Sequence, residues 1–206
     1  MRKSPLVVRC SMNSPDPELF GKSGVAGRGG ALVLWLSGLS GAGKSTIAKA
    51  TMERFVGAGL GVLNLDGDAV RDHLHRNLGF SEPDVIENNR LIAEICKDRS
   101  SEFDLILAPV IAPLECGREN ARRIIGARYR LVYCSADIAT VRDRDVKGLY
   151  ARADRGEIGD MIGYSEGAVA YEPPTEPDLV LPTADESTDA CVDRLCAFIQ
   201  TQLAAR

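Results

Sequence analysis

Gly38-Leu39-Ser40-Gly41-Ala42-Gly43-Lys44-Ser45-Thr46 is the stretch that decides how this chain folds. It fits the phosphate-loop pattern G-x-x-x-x-G-K-[ST], and its flanks supply the context that the pattern needs. Upstream, Ala31-Leu32-Val33-Leu34-Trp35-Leu36 is an unbroken apolar run, as in a parallel strand buried on both faces. Downstream, Ile47, Ala48, Met52, Phe55 and Val56 recur with the spacing of one helical face. Gly38, Gly41 and Gly43 let the backbone approach an anion closely. The N–H groups from Ser40 and Ala42 through Thr46 then form an anion nest at the positive end of a helix. Lys44 can reach the β- and γ-phosphates of ATP as a point charge, and the Ser45 hydroxyl can ligate Mg²⁺.

Composition narrows the class. The 206 residues suit one α/β domain with a substantial core. A formal charge of −4 and an aromatic content of 5% argue against a nucleic-acid partner. No apolar run approaches the ~20 residues that span a bilayer. The six cysteines (10, 96, 116, 134, 191 and 196) form no C-x-x-C, and His73 and His75 are the only histidines. Reduced thiols and a cytoplasmic protein are therefore expected, rather than a zinc site.

Residues 1–30 read as a flexible N-terminal extension rich in proline and glycine. Arg2, Lys3 and Arg9 raise the question of targeting. However, Leu6-Val7-Val8 is too short for a secretory core, and Asp16 and Glu18 are unusual in a transit peptide. Residues 31–206 alternate strands with helices. Strands are expected at 31–36, 61–65, 103–108, 129–134 and 179–181, with a closing helix capped by Ser187. This pattern predicts a three-layer, nucleotide-kinase-like α/β domain whose parallel sheet is flanked by helices. Residues 145–171 are too long for an ordinary connection and read as a lid.

A kinase needs a group that orients the acceptor hydroxyl, cations on the transferred phosphoryl, and a closing segment. Asp66 and Asp68 follow the second strand, where a parallel sheet delivers residues to its ligand crevice. Asp68 can equally cap the next helix. Arg71, Arg90, Arg118 and Arg122 are expected above the sheet, and Lys147, Arg152 and Arg155 in the lid. A solvated surface charge is the alternative for each arginine.

Several runs together resemble the adenylylsulfate kinase family. They are the phosphate loop, Leu65-Asp66-Gly67-Asp68 with Arg71, Leu78-Gly79-Phe80-Ser81 followed by Asp84, Glu87, Asn88 and Arg90, and Lys147-Gly148-Leu149-Tyr150 with Gly156-Glu157-Ile158. The resemblance is collinear from about Ala31 to Thr183. It implies phosphoryl transfer from Mg-ATP to the 3′-hydroxyl of adenylyl sulfate, a small-molecule acceptor, with a homodimer allowed. By the same resemblance, Lys44 and Ser45 are triphosphate and metal contacts. Asp66 and Asp68 are the metal-side and acceptor-side carboxylates, with Asp66 orienting or deprotonating the hydroxyl. Phe80 stacks on the substrate adenine, and Arg71 and Asn88 contact the nucleotide sulfate. Ile111 belongs to the substrate-binding set, and Lys147, Gly148 and Leu149 close over both substrates.

The acceptor side departs from the family. The family's Asp-Arg before Glu-Asn is Asp84-Val85 here, and its Phe-Ile-Ser-Pro-Tyr-Arg is Val110-Ile111-Ala112-Pro113-Leu114-Glu115. Two substrate-binding arginines are thus Val85 and Glu115, and the lid's adenine-stacking aromatic becomes Met161. Glu115 is expected to repel an anionic acceptor unless it turns away or pairs with Arg118 or Arg122. The expectation is weak affinity for adenylyl sulfate, improved by arginine at 85 and 115. A kinase for another hydroxylated acceptor and a weakly active nucleotide-binding regulator are the alternatives.

Overall fold

The computed structural model describes residues 30–73 and 77–205. The expected N-terminal extension therefore lies, but for Gly30, outside the described residues. Five parallel strands form one sheet in the order β2-β3-β1-β4-β5, with β1 (Leu32–Ser37), β2 (Val62–Asn64), β3 (Leu105–Pro109), β4 (Tyr129–Cys134) and β5 (Leu179–Leu181).

Every residue of β1 is buried because both faces of the sheet are covered. Leu32, Leu34 and Leu36 pack with Ile47, Ala48 and Phe55 of α1 (Lys44–Gly57) and with Cys191, Leu195 and Ile199 of α7 (Thr188–Ala204). Val33 and Trp35 point the other way, into a second core with Ile92 and Cys96 of α3 (Glu82–Asp98) and Ala121 of α4 (Glu115–Ile125). The period-2 alternation is real, but both of its faces are apolar, so the run reads as continuous.

The strand order reverses at β1, between β3 and β4. A crevice opens at the carboxyl ends of the strands at such a point. The loop after β1 and the short α2 (Gly67–His73) after β2 both emerge there.

Three helix starts rest on local geometry. Helix α1 begins at Lys44, because Gly43 takes φ 84° and turns the loop directly into the first helical turn. Helix α3 begins before Pro83, because Ser81 is its N-cap and receives the Asp84 N–H. Within 145–171 lies an unforeseen helix, α6 (Leu149–Asp154). Its cap comes from upstream: the Asp145 carboxylate accepts from the N–H groups of Tyr150 at 3.0 Å and Ala151 at 2.9 Å. Asp145 also ends α5 (Ile138–Arg144), so one residue closes one helix and opens the next.

Candidate active site

The phosphate loop runs from the end of β1 into α1. A Cβ on Gly38 would lie 2.6 Å from the Cys134 carbonyl oxygen, so no side chain fits there without shifting β4. Gly43 is the N-cap, which leaves Lys44, Ser45 and Thr46 as the first helical turn. The first intrahelical bond is Ile47 N–H to Gly43 O, at 3.0 Å. The N–H groups of Lys44, Ser45 and Thr46 precede it and have no acceptor within the helix, as at any helix start, which suits them to an anion. Ser45 and Thr46 are exposed, whereas Ala42 packs into the core beneath the loop.

The Lys44 Nζ donates to the carbonyl oxygens of Gly38 at 2.8 Å and Leu39 at 2.7 Å. Burial pushes its pKa down to about 8; Cys134, Asp68 and Asp66 partly oppose that shift, and Lys147 adds to it.

A cavity of about 150 Å³ extends from the loop residues Ser40, Gly41 and Gly43–Thr46 to a second wall. That wall includes Gly67, Asp68, Arg71, Phe80, Val85, Asn88, Asn89 and the run Pro109–Pro113 with Ile111. Asp66 does not itself line the cavity; it immediately precedes Gly67 and Asp68, which do. Its Oδ1 accepts from Asp68 N–H at 3.0 Å and Ala69 N–H at 3.5 Å, so Asp66, rather than Asp68, is the cap of α2. The Asp66 Oδ2 takes no part in these bonds. Arg71 donates to the carbonyl oxygens of Leu78 (3.2 Å) and Gly79 (2.6 Å), and its guanidinium lies 4.5 Å over the Phe80 ring. Arg71 thereby holds the turn that presents Phe80, a ring 42% exposed. Asn88 is buried on the cavity side of α3.

From the other side, Lys147 forms an ion pair with Asp68 across the crevice. Gly148 takes φ 64° and caps α6, and Leu149 packs against the core beside it. The Tyr150 hydroxyl donates to the Ser40 carbonyl at 2.9 Å, tying α6 to the phosphate loop. Tyr171 bonds Ser37 at 3.0 Å. Residues 145–171 are therefore pinned at Tyr150, Met161, Ile162 and Tyr171, while Val146 and Lys147 are exposed at the crevice.

Other expected cations do not converge on the cavity. Arg90 pairs along α3 with Glu87 at 2.7 Å and Glu94 at 2.5 Å. Arg152 and Arg155 pair with Glu157 on the surface. Arg122 reaches Asp178 and the Tyr129 ring in a separate groove behind α4. Of the two outcomes expected for Glu115, repulsion or pairing, the structure shows pairing: its carboxylate meets the fully buried Arg118 at 2.6 Å and does not line the cavity. Arg118 in turn donates to Ala112 O at 2.8 Å. Met161 packs into the core, whereas Val146, Lys147 and Ile162 are the residues of 145–171 that line the cavity.

A phosphate loop opening a helix, carboxylates after β2 and a half-exposed aromatic ring on a second wall define a small-molecule phosphate-loop kinase. Comparison with known proteins narrows this class. The family model described as adenylylsulphate kinase matches residues 30–182. The adenylyl-sulfate kinase of Paraburkholderia xenovorans is 40% identical over 82% of this chain and 93% of its own length. That of Halothermothrix orenii is 39% identical over 82% and 89%. The Mycobacterium tuberculosis APS kinase CysC, solved in complex with AMPPNP and APS, superposes with a TM-score of 0.76 at 32% identity, covering 83% of this chain and 98% of that one. The chain belongs to the adenylylsulphate kinase family. It is an ATP-using phosphotransferase with an alcohol group as acceptor.

Sequence reasoning missed Asn89, Tyr150, Tyr171 and Ile162. Asn89 was legible in principle, because 85, 88 and 89 share one helical face. The tyrosines and Ile162 were not, since their contacts are made across distant segments.

Proposed function

We propose that this protein transfers the γ-phosphoryl group of ATP to the 3′-hydroxyl of adenylyl sulfate, producing the activated sulfate donor. The observation that carries this reading is the continuity of one cavity. It runs from the phosphate loop, past Asp68, to Phe80 and Asn88, in a chain of this family. The triphosphate lies in the N–H nest of the loop. Lys44 exchanges its bonds to Gly38 O and Leu39 O for phosphate oxygens and stabilises the transferred charge. The Asp66 Oδ2 orients the acceptor hydroxyl and receives its proton. Phe80 stacks on the adenine, and Arg71 and Asn88 fix the polar end of the nucleotide. No group of three or more Asp, Glu, His or Cys able to hold a metal occurs among the described residues. Ser45 and Asp66 form a sparse, oxygen-only donor set that fits Mg²⁺, which keeps water and substrate phosphate in its shell. Magnesium held there would neutralise charge on the β- and γ-phosphates.

A cavity of about 150 Å³ is below the ~300 Å³ at which small-molecule sites begin, so the Lys147–Asp68 pair must part before two nucleotides enter. Residues 145–171 act as the lid in this reading, and residues 31–206 as the catalytic unit. No helix among the described residues is long and apolar enough to cross a membrane. A cytoplasmic location and a homodimer complete the proposal, the latter to be checked by light scattering. The comparisons do not favour the two alternative functions.

The test is coupled ADP release over a panel of acceptors: adenylyl sulfate, shikimate, gluconate and buffer alone. ADP release stimulated by adenylyl sulfate above all others is the expected result. Stimulation by another acceptor, or by none, refutes the assignment.

A further inference from the structure

Helix α3 presents Val85, Asn88 and Asn89 to the cavity at the i, i+3, i+4 spacing of one face. Asn89 is 3% exposed, and its Nδ2 is buried with no hydrogen-bond partner among the described residues. Toward α4 the amide nitrogen faces Gly117, which has no side chain to pair with it; a Cβ added there would lie 3.4 Å from Nδ2. Buried amides are nearly always paired, and an unpaired one destabilises the fold that keeps it. An aliphatic side chain would pack between α3 and α4 without that cost. The wall around Asn89 is otherwise poor in side-chain donors: Val85, Val110, Ile111, Ala112 and Pro113 have none. A half-turn about the last side-chain torsion exchanges the two ends of the amide at little cost, so its N–H can be turned toward the cavity.

We propose that Asn89 is a specificity-determining residue, whose side-chain amide donates a hydrogen bond to an oxygen of the anionic nucleotide acceptor bound against Phe80 and Asn88. This rests on the acceptor assignment above and deepens it. It gives the wall beside Val85 and Ala112 a neutral donor at a position the phosphate loop does not reach. Asn89 is assigned to the acceptor rather than to ATP because it stands on α3 beside Asn88, in the wall that carries Phe80, and not in the phosphate loop.

The experiment compares wild type, Asn89→Leu and Asn89→Ala, measuring KM for adenylyl sulfate, KM for ATP, kcat and Tm. A hydrogen bond to a charged oxygen corresponds to a ten- to hundred-fold change. The expected result is an adenylyl-sulfate KM raised by about that factor in both variants, with ATP KM changed less than about twofold. Asn89→Leu should melt at or above the wild-type temperature, because it removes an unpaired amide. A residue with only a structural role would lower Tm and leave the two KM values in their wild-type ratio. If Asn89→Leu does not fold, Asn89→Ala alone decides. Wild-type turnover with an unchanged adenylyl-sulfate KM in the folded variant overturns the role of Asn89 and leaves the functional assignment standing. Absence of wild-type turnover on adenylyl sulfate overturns both.

Discussion

Raising the pH from 7 to 9 should switch off ATP use before it unfolds the protein. The group responsible is Lys44, held by the loop carbonyls and desolvated by burial, with a pKa pushed down to about 8 from an ordinary 10.5. In the free protein Lys44 is then charged in roughly nine-tenths of molecules at pH 7 and roughly one-tenth at pH 9. If the ammonium is what captures the phosphates, kcat/KM for ATP falls nearly tenfold across this window. A bound triphosphate favours the charged form, so kcat declines at higher pH than kcat/KM does. Stability runs the other way for this group. Between about 8 and 10.5 the unfolded chain binds more protons than the folded one, so the contribution of Lys44 to stability rises with pH, by up to about 3 kcal/mol. The buried Cys134 thiol opposes this. Its pKa is pushed up to about 12 by burial, so the unfolded thiol ionises first and stability falls above about pH 9. The clean window is therefore pH 7 to 9. The assay is initial rate at subsaturating ATP and saturating acceptor, with circular dichroism at each pH. Lys44→Arg, charged throughout, should show low but level activity over the same range. A level wild-type kcat/KM between pH 7 and 9, in protein that stays folded, would refute the assignment of Lys44 as the phosphate-binding cation.

Three further outcomes are expected. Asp66→Asn should lower single-turnover rate by about 10²-fold or more while changing ATP affinity far less; equal losses would reduce Asp66 to a nucleotide–metal contact. Glu115→Arg should destabilise by about 1–3 kcal/mol, because it sets a second cation against the buried Arg118, and it should not improve acceptor use; Val85→Arg, which lines the cavity, is the substitution of the two that can. A chemical denaturation curve for the first and acceptor kcat/KM for both decide the point. Amide exchange should show ligand-dependent protection at residues 145–149 and 155–160. Tyr150, Met161 and Ile162 should be protected already, since they are buried in the free protein; uniform protection without ligand would remove the lid.

The individual strands and the phosphate loop are legible in short windows of sequence, because their signals are local; the strand order β2-β3-β1-β4-β5 is not, because it joins segments tens of residues apart. An apolar run, three glycines, Lys44-Ser45 and a helical face within 26 residues admit essentially one chain path. Strand β4 and the Ser187 cap are likewise legible from short-range patterning and capping chemistry. Tertiary structure decided what depends on facing directions and distant partners. Glu115 looks like a repulsive charge in sequence and is neutralised three residues on by an arginine that also grips Ala112. Met161 looks like a lid contact, yet the turn that begins there packs it into the core and gives the cavity Ile162. Helix α6 is invisible because its cap lies at Asp145, outside the helix, and its anchor is a carbonyl of the phosphate loop 110 residues away. Side-chain direction at such places is fixed by packing energy summed over both faces of the sheet, and no short window of sequence contains that sum.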